Sequence, residues 1–197
     1  HEAAGRDSLR DLARKYPPEV VASNLAFLVF AGHETTVHLI GSLMLHLALR
    51  PDLWRLLRAR KHLVPNAVNE ALRFESPVQK MCRRTSDWVE IEGRAIPPRQ
   101  TLVLLLGAAN RDPARFPRPD SFDVRRENSN HLAFGRGRHL CLGRFLAVLE
   151  ASTLLRLLLG RWSMVAVSSG GWEWLPNSSF RGLKRLELEW EPAEADT

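Results

Sequence analysis

The chain has 197 residues, is 45% hydrophobic and 25% charged, and carries a formal net charge of +6. That is enough apolar material for one domain with a buried core, and it excludes low-complexity and internally repeated classes. Only two cysteines, Cys82 and Cys141, are present; they allow one disulfide but exclude a disulfide framework, and so point to a reducing cytoplasm.

Residues 1–16 are polar with a weak helical pattern, and their charge predicts no signal peptide. Pro17-Pro18 marks a boundary from which Pro18 or Glu19 opens a helix. From Glu19 to about Leu49 the chain reads as one long helix, apolar on nearly all sides and therefore buried and central. Its longest apolar stretch, Val20 to Gly32, is interrupted by Ser23 and Asn24 and is too short for a membrane span. Helices are predicted from Pro51 to about Arg60 and from about Pro65 to Phe74. The period then changes. Val89, Ile91, Ile96, Leu102, Val103 and Leu104, punctuated by Gly93 and Pro97-Pro98, predict short strands. Asn110 to Asn130 predicts a loop. A further helix runs to about Arg161. Met164–Val167, Trp172–Leu175 and Leu186–Trp190 predict short strands, followed by a frayed acidic tail including Glu194 and Asp196. The sum is mainly α with small β elements.

Cys141 lies in the run Phe134-Gly135-Arg136-Gly137-Arg138-His139-Leu140-Cys141-Leu142-Gly143. Glycines keep backbone bulk away from it and admit a tight turn. An apolar-periodic segment follows at once, through Leu142, Phe145, Leu146, Leu149, Leu154, Leu155, Leu157 and Leu158. The thiol therefore precedes a helix N-terminus, where the helix dipole favours a thiolate. Such a thiolate suits a nucleophile or a soft metal ligand. Between Arg111 and Arg161 there are ten arginines and five acids. A nucleic-acid role is disfavoured, because aromatic interleaving is poor. An acidic protein partner or an anionic cofactor accounts better for the excess.

Ala31-Gly32-His33-Glu34-Thr35-Thr36 sits inside the long helix. Gly and two threonines lower helix propensity, and a carboxylate among apolar neighbours is costly without a partner or function. A local kink or opening is expected there, with Glu34 and Thr35 facing a cavity. The zinc motif H-E-x-x-H is excluded. His38 is five residues from His33, about 140° away around the helix. Glu70 and Arg73 are spaced to pair on one helix face.

The pattern Phe134, Gly137, His139, Cys141 and Gly143 resembles the haem-binding loop of the cytochrome P450 family. The Gly32-His33-Glu34-Thr35-Thr36 segment resembles its oxygen-activation segment. The resemblance covers about residues 19–190. It implies that the chain is the C-terminal portion of that fold, a single region over residues 1–197 with the N-terminal half absent. It further implies that Cys141 ligates the iron of haem b, in a loop built by Phe134, Gly135, Gly137 and Gly143. By the same resemblance, His139 and Arg83 hold haem propionates, and Gly32, Glu34 and Thr35 manage dioxygen and protons. Glu70 and Arg73 form a structural lock whose usual third member is an arginine where Ser121 stands. Arg125 or Arg126 substitutes, or the lock is weaker. The segments Pro77–Met81 and Ser178–Phe180 resemble stretches lining the substrate cavity. Cys82 reads as a packed or partly exposed thiol.

The implied function is a haem-thiolate monooxygenase that inserts one oxygen atom from O2 into an organic substrate. Leu28, Val29 and Val78 suggest an apolar one. Electrons would come from an acidic ferredoxin or flavodoxin-like donor attracted by the basic region. The rival is a haem-binding module or remnant without turnover, because family members are about twice this length. Peroxide-driven oxidation ranks below both, given the Glu34-Thr35 pair. A cysteine hydrolase ranks last, since His139 is poorly placed as a base for Cys141.

Overall fold

The computed structural model describes residues 8–126 and 130–193. The polar stretch before residue 8, the loop residues 127–129 and the acidic tail from residue 194 lie outside the described residues. The chain divides into two compact units, residues 1–34 and 35–197.

In the first unit, helix α1 spans Ser8–Lys15. Helix α2 spans Pro18–Ala48 and continues into the second unit. Its start matches the double-proline signal, since Pro18 costs no hydrogen bond at a first helical position. Ser23 and Asn24 do not interrupt it, because both side chains donate to the Val20 carbonyl, at 3.2 and 2.8 Å. Of the kink or opening expected at residues 31–36, the opening is absent: the helix runs unbroken through them. Gly and Thr each cost only about 1 kcal/mol or less against Ala in a helix, too little to break one of this length. Burial departs from expectation too. Phe27, Leu28, Val29 and Phe30 are exposed, and the buried positions begin at His38. The length argument against a membrane span also needs correction. By length and composition alone α2 could cross a bilayer. One such helix is weak evidence, because core helices and N-terminal signal sequences pass the same test; in α2 burial is confined to His38, Leu39 and the run from Ser42 to Ala48.

The second unit is built around that buried part of α2. Helix α3 (Pro51–Ala59) starts with Pro51, and a 3₁₀ turn (Lys61–Leu63) leads into α4 (Val64–Phe74). Helix α6 (Arg144–Arg161) packs against α3 and α4. Leu39, Leu43 and Leu47 of α2 meet Trp54 and Leu57 of α3, Val68 and Leu72 of α4, and Leu155 and Leu159 of α6 in one cluster. Of the apolar series on α6, Phe145, Leu146, Leu149, Leu154 and Leu157 are exposed. The helix is apolar all round, so periodicity could not choose its buried side.

Three two-stranded antiparallel sheets complete the unit. Strand β1 (Lys80–Arg84), not anticipated from the sequence, pairs with β4 (Thr101–Leu105), with Cys82 opposite Val103. Strands β2 (Val89–Ile91) and β3 (Arg94–Ile96) form a hairpin. Its turn residues Glu92 and Gly93 both have positive φ, 48° and 76°, as a type I′ turn requires. Helix α5 (Leu106–Ala109) is a single turn. Strands β5 (Trp162–Trp174) and β6 (Leu183–Pro192) form one long hairpin rather than the three short strands expected. The register shifts between Val167 and Trp172, where Gly171 takes φ +66°. The Ser168–Gly171 interruption is thus an irregularity within one strand, not a break between two.

Candidate functional site

The Cys141 loop is held by its own backbone. Gly135 N–H donates to Leu132 O at 2.8 Å, and Gly135 and Gly137 take φ of +70° and +73°. A 3₁₀ turn covers Gly137–His139, closed by Leu140 N–H to Gly137 O at 3.0 Å. Cys141 N–H then donates back to Phe134 O at 2.9 Å. Helix α6 begins two residues past Leu142, with Gly143 as its N-cap and the Arg144 guanidinium donating to Cys141 O at 3.3 Å. The glycines are required at 135 and 137 because side chains disfavour that backbone region. Cys141 is half-buried, and a Cβ on Gly137 or Gly143 would meet open space. Phe134 packs against the core cluster, while Arg136, Arg138 and His139 are exposed. Phe134, Gly135, Gly137, His139, Cys141 and Gly143 are thus brought together in one loop.

Behind the loop lies a buried ionic lock. Arg73 is wholly buried, and its Nε and Nη2 donate to the two Glu70 oxygens, both at 2.8 Å. Its remaining donors reach the carbonyls of Asn110 (2.9 Å), Pro119 (2.9 Å) and Ser121 (3.1 Å). Arg126 is the third member. Its Nε lies 3.2 Å from Glu70 Oε2, and its other nitrogens donate to the carbonyls of Pro117, Arg118 and Ser121. Ser121 supplies only its carbonyl, and Arg125 is exposed. Glu70 therefore meets two guanidinium groups and the Asp123 N–H at 2.9 Å. A buried carboxylate requires such satisfaction.

Asn110 transmits the lock to the loop. It is fully buried, accepts Arg73 on its carbonyl, donates from Nδ2 to Ser76 Oγ at 2.7 Å, and accepts Leu132 N–H on Oδ1 at 2.7 Å. Leu132 O in turn receives Gly135 N–H. His131 flanks the same path. Its Nδ1 accepts Ala133 N–H at 3.3 Å, which leaves Nε2–H facing Asn69 Oδ1 at 3.4 Å. Burial lowers the His131 pKa from 6.5 to about 4, opposed by the Glu70 carboxylate and reinforced by Arg73. The folded state thus disfavours the protonated imidazole. Between pH 6.5 and 4 the unfolded chain binds a proton that the folded chain does not. Stability from this residue is therefore complete above pH 6.5 and falls by about 3 kcal/mol as pH drops to 4. Urea titrations across that range should show the loss in the wild type and its near absence in His131→Asn. Parallel profiles would remove His131 as the source.

The other sequence-predicted residues lie elsewhere. Arg83 sits on β1 opposite Leu102, and its guanidinium donates to Cys82 O at 2.9 Å. Gly32 and Glu34 belong to the first compact unit, and Thr35 opens the second. Both cysteines are free thiols. Sequence reasoning missed His131, the relay role of Asn110 and the carboxylate Glu75. Asn110 opens the segment predicted as a loop, yet no local pattern announces a side chain that bonds residues 34 and 22 positions away. Among the described residues, no group of three or more His, Cys, Asp or Glu is placed to hold a metal ion.

The sequence model of the family described as Cytochrome P450 matches residues 7–173. The chain is 42% identical over 177 residues to a biotin biosynthesis cytochrome P450 of Bacillus subtilis (strain 168), covering 90% of this chain and 45% of that protein. It is 45% identical over 166 residues to cytochrome P450 monooxygenase PikC of Streptomyces venezuelae, covering 83% and 40%. The solved structure of P450BioI in complex with an acyl carrier protein ligated with hexadec-9Z-enoic acid matches with a TM-score of 0.87 at 41% identity, covering 91% and 47%. The chain spans less than half the length of these curated relatives.

Proposed function

This chain belongs to the cytochrome P450 family, and from that membership we propose that it carries the iron-ligating region of a haem-thiolate monooxygenase. The observation that carries the reading is the Cys141 loop. It presents one half-buried thiol in front of a helix, framed by glycines with open space beside them. The donor set fits haem. Among the described residues no group of three or more His, Cys, Asp or Glu would complete a metal's coordination beside Cys141. A porphyrin would bring further iron ligands of its own. Exposed His139, Arg136 and Arg138 offer donors to carboxylates, as haem b propionates require, and Arg83 is a further candidate.

Bound haem would supply the oxygen chemistry, in which one atom of O2 enters an apolar organic substrate. The chain's own residues would do the rest. Cys141 Sγ, deprotonated, would hold the iron and donate electron density to it. The Phe134 carbonyl, by accepting Cys141 N–H, keeps that residue's backbone in place. The Thr35 hydroxyl would donate a hydrogen bond to dioxygen, and the Glu34 carboxylate would pass protons to it, beside the small Gly32. Val78 would favour an apolar substrate. Two free thiols suit a reducing cytoplasm.

The test is an absorption spectrum of the purified chain with haem, reduced and exposed to carbon monoxide. A red-shifted thiolate–carbon monoxide band is expected; a spectrum of free or histidine-bound haem would overturn the assignment of Cys141. A second reading is favoured by coverage of less than half of the relatives and by exposed apolar residues such as Phe145 and Leu149. In it the chain binds haem but turns over only with the rest of such a protein covering those faces. Substrate hydroxylation by the 197-residue chain would eliminate that reading.

The electron donor would be an acidic ferredoxin or flavodoxin-like protein docking on the basic surface around Cys141. Raising salt from 0.05 to 0.5 M should slow electron delivery about tenfold or more, as screening removes steering. Indifference to salt would exclude electrostatic steering.

A further inference from the structure

Glu75 ends α4 and has no part in the lock or the thiol loop. Its side chain is only 12% exposed, yet it faces three cationic or protonatable groups. Arg181 Nε donates to its Oε2 at 2.8 Å, His46 Nε2 lies 3.5 Å from Oε1, and Arg111 Nη2 lies 4.0 Å away. Arg50 donates to His46 Nδ1 at 3.1 Å, which turns the Nε2–H of His46 toward Glu75. Burial would raise the carboxylate's pKa, but the His46 and Arg181 hydrogen bonds outweigh it and lower the pKa. Glu75 therefore stays ionised at neutral pH.

Arg181 belongs to the loop between β5 and β6, and this loop is bound to the segment that follows Glu75. Arg181 N–H donates to Pro77 O and Gln79 N–H to Ser179 O, both at 2.8 Å, on either side of a bridge pairing Val78 with Phe180. Asn177 Oδ1 shapes the loop by accepting Ser179 and Phe180 N–H. The Arg181 guanidinium carbon lies 3.6 Å from the centre of the Trp174 ring. The two segments thus form one wall, tied across its exposed side by Lys80 Nζ donating to Ser178 Oγ at 2.9 Å and bound through Arg181 to the Glu75 carboxylate.

We propose that Glu75 is a positioning residue for substrate selection: through Arg181 it sets where the Val78–Phe180 wall stands. This rests on the monooxygenase reading, in which that wall lines the substrate cavity. Glu75 itself need not touch substrate. Its charge acts across the loop, so exchanging it should change which ligands fit without disturbing the thiol loop.

Amide hydrogen exchange on the full chain tests the clasp without haem. In Glu75→Gln, and independently in Arg181→Met, the Gln79 and Arg181 amides should exchange about tenfold faster, the scale of a lost charge-assisted hydrogen bond. Amides of Met164–Val167 should be unchanged. The double variant should be no worse than the worse single one, since the two residues act through each other. Lys184→Gln, which breaks only the exposed pair with Glu173, serves as control. Unchanged exchange, or uniform acceleration throughout the chain, would overturn the clasp.

The haem-loaded chain is then titrated with imidazole and 4-phenylimidazole. Both coordinate iron through the same nitrogen, but only the larger probe extends far enough to meet a cavity wall. The ratio of their Kd values should shift by about threefold or more in Glu75→Gln, with imidazole itself unmoved. If both Kd values move together, or neither moves, the selection role falls. Absence of a thiolate spectrum in the wild type overturns the underlying reading and the selection role with it, while the exchange data still decide the clasp.

Discussion

Arg73→Ala should cost this chain about 3–5 kcal/mol, a large share of the roughly 5–15 kcal/mol that stabilises an ordinary domain. Arg73 is 0% exposed and satisfies both Glu70 oxygens and three backbone carbonyls. Removing it leaves a carboxylate and several carbonyls short of donors where water does not reach. Breaking one partner of a buried pair costs far more than the pair contributes when intact, because the remaining charge is stranded. Arg126→Ala should cost less, about 1–2 kcal/mol, since its outer nitrogens bond at exposed positions and Arg73 still faces Glu70. Arg125→Ala should stay within about 0.5 kcal/mol, as surface substitutions do. Urea unfolding of the three variants checks the order. If Arg125→Ala matched Arg126→Ala, Arg126 would not be the third member of the lock.

Cys141→Ser should abolish the thiolate–carbon monoxide band while leaving the fold within about 1 kcal/mol of wild type. The two outcomes separate because the loop is held by main-chain bonds. Cys141 contributes its N–H to Phe134 O and its carbonyl to Arg144, and a serine keeps both. What serine lacks is a soft, readily ionised sulfur. Cys82→Ser, on β1, should leave the spectrum intact. A thiolate spectrum that survived Cys141→Ser and vanished in Cys82→Ser would overturn the site. Melting and spectroscopy on the same samples distinguish loss of ligation from loss of structure.

Local chemistry made much of the fold legible. The proline at position 18 and the Pro51 start were visible, as were Gly93 as a punctuation between short strands and the glycines of the tight turn before Cys141, because each is decided by neighbouring residues. Strand β1 was not, since its Lys, Met, Cys and Arg residues carry no alternation and only pairing with β4 defines it. The break expected between Val167 and Trp172 failed for a related reason. Ladder bonds to β6 carry one strand across a Ser-Gly irregularity that looks like a turn in isolation.

The candidate site divides the same way. Sequence alone determined that Cys141 would stand in a glycine-framed loop ahead of a helix, because sterics and spacing act within ten residues. It also placed Glu70 and Arg73 on one helix face. It left Arg125 and Arg126 undecided, and it named neither Asn110 as the relay nor Glu75 as the clasp. The tertiary structure decided those. Arg126, Asn110 and Arg181 reach their partners across 56, 37 and 106 residues of chain. Which stretch of α2 and which side of α6 are buried was likewise a tertiary matter: helices apolar all round hold no internal preference, and only the surfaces packed against them decide what is covered.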